Sequence, residues 1–212
     1  MEQNSLMTSV GNPLDLFRLD GRTVIVTGAS SGLGDRFARV LHAVGADVVI
    51  AARRADRLAS LAEALPGSLA VAADLSLAED RERLVDTTLE RFGRVDVLVN
   101  NAGVGQKTAV EDETVEMFRN AMELNVTAVW HLSKLVAPSM IGSGGGSIVN
   151  IASMLGSRGV GAGEAGRLLR FQGSRRQPHP RARRAALLLL AGPGRTFMTG
   201  QSVIVDGGWT AR

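Results

Sequence analysis

Three glycines, Gly28, Gly32 and Gly34, follow the first apolar run of this chain, in the segment TGASSGLG at residues 27–34. Gly28 allows a sharp turn, while Gly32 and Gly34 allow the backbone to approach a pyrophosphate closely. The helix that follows would offer its free amides and its dipole to the phosphates. Because the segment follows a strand and opens a helix, it predicts a dinucleotide phosphate site. The glycine spacing by itself is equally typical of a structural turn.

Two arginines, Arg53 and Arg54, follow the second apolar run, with no acidic residue before Asp56. An acid at this point accepts hydrogen bonds from the ribose hydroxyls of NAD, whereas arginine accommodates the 2′-phosphate of NADP. Since a guanidinium can hold a phosphate with two hydrogen bonds, the sequence favours NADP(H) over NAD(H). The alternative is that both arginines are solvated residues at a helix start.

Short apolar runs alternate with amphipathic stretches from residue 22 to about residue 151. The apolar runs predict strands at residues 23–26, 47–51, 69–73, 95–100 and 147–151. The stretches between them predict four helices, the last a long one at residues 113–136. Each of the first three helices has apolar residues on one face. These are Phe37, Val40, Leu41 and Val44 in the first helix, Leu58, Leu61 and Leu65 in the second, and Leu84, Val85, Leu89 and Phe92 in the third. Strands this apolar, separated by helices, indicate an α/β fold with a doubly wound parallel sheet.

Five separated motifs resemble the short-chain dehydrogenase/reductase family. They are TGASSGLG, Asp74 after the third strand, NNAG at residues 100–103, Ser153 after the fifth strand, and TGQSVIVDGG at residues 199–208. The resemblance covers residues 19 to about 161 and again residue 199 to the end. It implies a Rossmann fold, an NAD(P)-dependent interconversion of a secondary alcohol and a ketone, a small-molecule carbonyl or alcohol substrate, and usually a homo-oligomer.

The resemblance also implies a role for each matching residue. The pyrophosphate would lie on the turn formed by Gly28, Ser30, Ser31, Gly32, Leu33 and Gly34. Asp74 and Leu75 would border the adenine, and Asn101, Ala102 and Gly103 would line the adenosine and ribose side. Asn125 would bind a water in a proton relay, and Ser153 would polarise the substrate carbonyl. Without the family context, Asn125 reads as a helix asparagine satisfied by backbone and Ser153 as a loop serine.

The chain contains no tyrosine, and its two lysines, Lys107 and Lys134, both precede Ser153. Catalysis in the family that it resembles needs a tyrosine and, four residues later, a lysine on the helix after the fifth strand. The tyrosine acts there as general acid and base on the substrate oxygen, with its pKa lowered by the lysine and the cofactor. The catalytic YxxxK segment is therefore missing from this sequence.

Residues 167–180 suggest an explanation for this loss. One permitted set of codons for them, read one base later, gives Ala-Tyr-Ser-Ala-Ser-Lys-Ala-Ala-Val-Ala-Asn-Leu-Thr, close to the family's catalytic helix. We therefore expect that residues 162–184 are read out of frame and that a deletion restores the frame near residue 185. The sixth strand of the family would then be missing, and the fold would be incomplete after the fifth strand.

The remaining sequence is interpreted as a single domain. Residues 1–18 are predicted to form an N-terminal arm, and residues 19–212 the dinucleotide-binding domain, with a helix at 185–191 and a last strand at 202–205.

The chain is 45% hydrophobic, enough for a sizeable core, and has no cysteine for disulfides or zinc. We expect no metal site. A polar start and short apolar runs predict neither a signal peptide nor a membrane segment, and the lack of cysteine fits the cytoplasmic location that we expect.

Two hypotheses about function remain open, an active oxidoreductase and a catalytically dead dinucleotide-binding relic or pseudoenzyme. A third, nucleic-acid binding, comes from residues 158–195, which hold nine arginines and one acid. Such a segment can neutralise a phosphate backbone. However, Phe171 is the only aromatic among the arginine-rich residues up to Arg184, and no reading motif accompanies them, so no nucleic-acid partner is expected.

Overall fold

Five parallel strands form a single sheet in the computed structural model, which describes residues 13–105, 108–152, 180–193, 200–203 and 205. The strands are β1 (Thr23–Thr27), β2 (Asp47–Ala52), β3 (Leu69–Ala72), β4 (Val97–Asn100) and β5 (Ser147–Asn150). Their order across the sheet is β3-β2-β1-β4-β5. The order reverses between β1 and β4, and in such sheets the crevice at the carboxyl ends of these two strands is the usual ligand site. The predicted parallel sheet is confirmed.

The described residues form six α-helices around the sheet. They are α1 (Gly32–Ala43), α2 (Ala55–Glu63), α3 (Ala78–Phe92), α4 (Val115–Met122), α5 (Ala128–Gly142) and α6 (Pro180–Ala191). A π-helix, Glu123–Thr127, joins α4 to α5, and 3₁₀-helices lie at Pro13–Phe17 and Val110–Asp112. The sequence predicted one long regular helix at residues 113–136. That prediction was wrong, because the wider turn of the π-helix interrupts the helix at residues 123–127.

The alternation of side chains along each strand divides the core into two layers. Val24 and Val26 point to the layer that contains α1, α2 and α6, whereas Ile25 points to the layer that contains α3 and α5. All three side chains are fully buried. Since both faces of the central strands are covered, every position in β1 must be apolar or hydrogen-bonded, which explains the continuous run TVIVT.

Helix α6 packs against the edge strand β5. Leu187 and Ala191 are buried in the first core layer, and the Ser147 hydroxyl donates to the Leu190 carbonyl at 2.7 Å. The predicted helix at 185–191 is confirmed and begins earlier, at Pro180. Residues 202, 203 and 205 of the predicted strand at 202–205 do not form a strand, and residue 204 lies outside the described ranges. A strand needs a hydrogen-bonded neighbour, and β5 pairs with β4 alone among the described strands.

The last residues of the predicted N-terminal arm pack against the domain. Residues Pro13–Phe17 form a 3₁₀-helix against the end of α6, where a Cβ on Gly192 would lie 2.5 Å from the Leu16 carbonyl oxygen. Leu19 is buried, and its amide donates to the Val44 carbonyl at 2.9 Å. This backbone bond and the buried leucine fasten the segment to α1 before β1 begins.

Large apolar side chains are exposed along α4, the π-helix and α5. These are Val115, Phe118, Met122, Val126, Trp130 and Ile141, with exposed fractions from 42% to 78%. Trp130 stacks on His131, and the Lys134 ammonium lies 5.5 Å from the Trp130 ring centroid. Across the described ranges, no helix combines the length and apolarity needed to cross a bilayer.

Candidate functional site

The glycine turn lies directly against the loop that follows β4. Gly28 has φ +66°, and a Cβ on it would lie 2.9 Å from both the Ala102 Cα and the Asn101 side-chain nitrogen. A Cβ on Gly34 would lie 2.3 Å from the Gly28 carbonyl oxygen. No side chain fits at either position without backbone movement, so the two glycines allow the loops after β1 and β4 to close on one another.

The start of α1 is open where the turn faces solvent. Gly32 has φ +63°, and a Cβ there would meet no atom within 4 Å. The preceding Ser31 is extended and gives the helix no side-chain cap. The first amides of a helix have no intrahelical acceptors, so they are free to donate to an anion. The predicted pyrophosphate site therefore has both the donors and the space that a phosphate group needs.

A network around Thr27 fixes the spacing between β1 and β4. The Thr27 hydroxyl accepts from the amides of Asn101 (2.9 Å) and Ala102 (3.0 Å) and donates to the Val99 carbonyl (3.2 Å). The Asn101 side chain donates to the carbonyls of Thr27 (2.9 Å) and Gly28 (3.3 Å). The Asn101 side chain is thus used within the protein to hold the turn. Gly103, the third member of the predicted adenosine side, is exposed.

Arg54 lies over the glycine turn, and Arg53 does not. The Arg54 guanidinium donates to the Ser30 hydroxyl (2.9 and 3.2 Å), the Ser30 carbonyl (3.4 Å) and the Ser31 hydroxyl (2.8 Å). Arg53 is exposed and has no hydrogen bond to a described residue. The structure therefore distinguishes the two candidate phosphate-binding arginines and brings Arg54 together with two turn residues.

Two carboxylates hold the loop after β3, Asp74 within the loop and Asp80 in the first turn of α3. The Asp74 carboxylate accepts from the amide (3.0 Å) and hydroxyl (2.8 Å) of Ser76, and the Asp74 amide donates to Asp80 at 2.6 Å. The Arg83 guanidinium and the Asp74 amide hold the pKa of Asp80 below its ordinary value. The Leu75 side chain is buried in the second core layer, so Leu75 offers only its backbone to a ligand. None of the described hydrogen bonds joins this loop to the glycine turn.

Asn125 is the middle residue of the π-helix and reaches the loop after β4. Its side-chain oxygen accepts from the Val104 amide, and its side-chain nitrogen donates to the Val104 carbonyl, both at 2.9 Å. The interpretation of Asn125 as a helix asparagine satisfied by backbone fits this pair. Single-turn π-helices are frequent at functional sites. Ser153, the other predicted catalytic residue, lies outside the described residues.

Sequence reasoning missed Arg81, which is buried on α3 and connects two parts of this edge of the sheet. Its Nη1 donates to the Leu75 carbonyl (3.1 Å) and to the Glu123 carboxylate (2.7 Å). Arg81 lies three and four residues before Leu84 and Val85, on the same helical face. That spacing is a signal that could have placed it inside the protein.

Comparison with known proteins gives a single family. The family described as short chain dehydrogenase matches residues 22–165. The chain is 43% identical over 142 residues to the granaticin polyketide synthase putative ketoacyl reductase 2 of Streptomyces violaceoruber. The match covers 65% of this chain and 57% of the reductase, so the matched part spans little more than half of that relative.

Solved structures resemble the whole described architecture. A 7α-hydroxysteroid dehydrogenase complexed with NADH and 7-oxo glycochenodeoxycholic acid superposes with a TM-score of 0.82 at 28% identity, covering 92% of this chain and 96% of that one. A gluconate 5-dehydrogenase from Burkholderia cenocepacia J2315, in complex with NADP and tartrate, superposes with a TM-score of 0.81 at 25% identity, covering 95% and 100%. One of these similar structures thus holds NADH and the other NADP.

Proposed function

Because this chain belongs to the short-chain dehydrogenase family, we propose that it binds NADP(H) on its glycine turn, in a site built for the interconversion of a secondary alcohol and a ketone. The similarity to structures that hold NADH and NADP supports a nicotinamide dinucleotide as the ligand. The open start of α1 and the close contact of the loops after β1 and β4 support the turn as the pyrophosphate site.

The placement of Arg54 carries the preference for NADP(H). Its guanidinium already lies over Ser30 and Ser31, on the side of the turn where β2 ends. The guanidinium could form two hydrogen bonds with a phosphate on the adenosine ribose. Since the two serines already hold the guanidinium in place before the nucleotide binds, less side-chain entropy is lost on binding. NAD, without that phosphate, gains nothing from Arg54.

The nicotinamide, when bound, supplies a carrier that gives a hydride to a ketone or takes one from an alcohol. The residues of this chain position it: the turn binds the phosphates, and Thr27 with Asn101 keeps the crevice between β1 and β4 at a fixed width. The hydrogen bonds of Asn125 to described residues use one accepting and one donating position of its exposed side chain, which leaves one of each for a relay water. Ser153 polarises the substrate carbonyl in this proposal.

A second candidate function is dinucleotide binding without turnover. The observation that favours it is the complete absence of tyrosine, with both lysines placed before Ser153. A serine and an asparagine without a partner of suitable pKa cannot efficiently exchange a proton with the substrate oxygen. We propose that this absence results from a frameshift across residues 162–184. Sequencing the coding DNA tests this directly, and an alternative frame without YxxxK rules it out.

A fluorescence titration with NADPH, followed by a turnover assay on secondary alcohols and ketones, separates the two candidates. Saturable binding together with hydride transfer supports the oxidoreductase. Saturable binding without detectable turnover selects the binding protein. If NADPH and NADH both fail to bind to the folded chain, the proposed function is wrong in either form.

A further inference from the structure

Arg81 is a buried charged residue whose partners belong to two separate segments, the loop after β3 and the π-helix. Its side chain is only 5% exposed, while that of its partner Glu123 is 36% exposed. One nitrogen, Nη1, contacts both the Leu75 carbonyl after β3 and the Glu123 carboxylate at the start of the π-helix. The guanidinium therefore bridges the predicted adenine side of the site and the segment that carries Asn125.

Stability alone does not account for an arginine at this position. Burial of a guanidinium carries a large desolvation penalty, which a single ion pair rarely outweighs. The Arg81 Nε is also buried without a hydrogen-bond partner among the described residues. The neighbours of Arg81 on this helical face, Leu84, Val85 and Thr88, are buried, and an apolar side chain there would avoid both penalties.

The hydrogen bonds of Arg81 complete a continuous connection along the carboxyl edge of the sheet. The connection runs from the Leu75 carbonyl through Arg81 to Glu123. It continues along the π-helix to Asn125, which binds both backbone groups of Val104. Val104 follows the NNAG segment, in which Asn101 holds the glycine turn. Without Arg81, no described hydrogen bond would connect the Leu75 loop to the π-helix.

We propose that Arg81 is a positioning residue, which holds the loop after β3 and the π-helix in the relative placement that the adenosine end of the nucleotide requires. The proposal rests on the proposed function, because the ligand is the same dinucleotide. Arg81 does not touch the nucleotide in this scheme. It acts through the Leu75 carbonyl on one side and through Glu123 on the other.

Hydrogen exchange in the absence of nucleotide tests the connection itself. Arg81→Leu keeps the apolar bulk, and Glu123 remains solvated in that variant, so the chain still folds. We expect exchange at the amides of Leu77 and Val104, which bond to the Asp74 carbonyl and to Asn125, to become about tenfold faster. The control, Arg91→Leu, replaces an exposed arginine of the same helix and leaves both rates unchanged. Unchanged rates in Arg81→Leu overturn the proposal.

A double substitution separates positioning from simple stability. In Arg81→Leu/Glu123→Leu an apolar contact replaces the ion pair, so the melting temperature recovers. If Arg81 positions the loops, affinity for adenosine 2′,5′-bisphosphate stays about fivefold weaker than in the wild type, as in the single variant. Recovery of affinity along with stability contradicts the proposal. A wild-type chain that does not bind this probe refutes the proposed function instead, and the exchange experiment still decides the role of Arg81.

Discussion

The two sides of the candidate site are held together in different ways. On the glycine-turn side, backbone contacts dominate: Gly28 and Gly34 lie too close to neighbouring main chain for any side chain, and Thr27 satisfies two amides. On the π-helix side, two polar pairs provide the attachment, Asn125 with Val104 and Arg81 with Glu123. The turn is therefore fixed by packing, whereas the π-helix depends on single side chains.

This difference indicates how each side responds to substitution. Steric conflicts at packed main chain destabilise the whole domain, because the surrounding structure cannot relax. Loss of an exposed or half-buried polar pair is compensated partly by water, so it loosens a loop and leaves the core folded. The following predictions test that contrast, in order of decreasing effect.

The largest effect is expected for Gly34→Ala. The new Cβ would lie 2.3 Å from the Gly28 carbonyl oxygen, so we expect a loss of about 3 kcal/mol in the free energy of unfolding. In an unconstrained helix the same change would be stabilising. Urea denaturation followed by circular dichroism measures the loss in the free energy of unfolding. The control is Gly32→Ala, where the Cβ meets open space and only the left-handed backbone is strained, at about 1–2 kcal/mol. Equal losses at both positions would contradict the packing argument.

Thr27→Val is expected to come next. The substitution keeps the side-chain volume but removes the acceptor for the amides of Asn101 and Ala102, which lowers the free energy of unfolding by about 2 kcal/mol. Thr87→Val is the matched control, since the Thr87 hydroxyl bonds only the Arg83 carbonyl of its own helix, and it should change stability by less than about 0.5 kcal/mol. A Thr27→Val variant as stable as the control would show that the network does not fix the turn.

We expect low pH to lower the stability of the whole domain, and so of both sides of the site, by protonating Asp96. Asp96 lies at the opposite edge of the sheet from the site. Burial by itself raises the pKa of Asp96, but hydrogen bonds from Arg94, Arg22 and the Thr23 amide outweigh it and hold this pKa below its ordinary value of 3.8. The resulting stabilisation is present above that ordinary value and is lost as the pH falls through the lower folded pKa. The stability difference between wild type and Asp96→Asn should therefore narrow below about pH 4. A difference that is independent of pH would contradict this role.

The smallest effect is expected for Asn125→Ala. Two hydrogen bonds to an exposed loop are lost, so global stability should fall by about 1 kcal/mol or less. Exchange at the Val104 amide should accelerate while the amides of β1 and β4 keep their protection. Faster exchange throughout the sheet would show that the π-helix side is as tightly coupled to the core as the turn.

The sequence predicts the glycine-turn side well and the π-helix side poorly. Continuous apolar runs located β1 and β2 because both faces of these strands are covered. The glycines of the turn were identifiable because each meets a local backbone requirement. The π-helix was missed because apolar residues continue at helical spacing through residues 123–127, and local spacing does not show the contact of Asn125 with Val104, twenty-one residues away.

The contacts of Arg54 and Arg81 show why side-chain placement is harder to predict. The sequence indicated Arg54 as a phosphate ligand, but its position over Ser30 and Ser31 depends on β1 and β2 being neighbours in the sheet. Arg81 was not singled out from the sequence, because charge normally marks the solvated face of a helix. Its ion-pair partner is Glu123, forty-two residues away, and local periodicity cannot show that pairing.

The most direct test of the central claim compares the dissociation constants of NADPH and NADH for the wild type, Arg54→Leu and the control Arg57→Leu, which replaces an exposed arginine of α2. If Arg54 holds the 2′-phosphate, the wild type and the control prefer NADPH by about tenfold or more, and Arg54→Leu loses that preference while its NADH affinity is unchanged. Equal wild-type affinities for the two nucleotides, or a preference that survives in Arg54→Leu, would contradict the account.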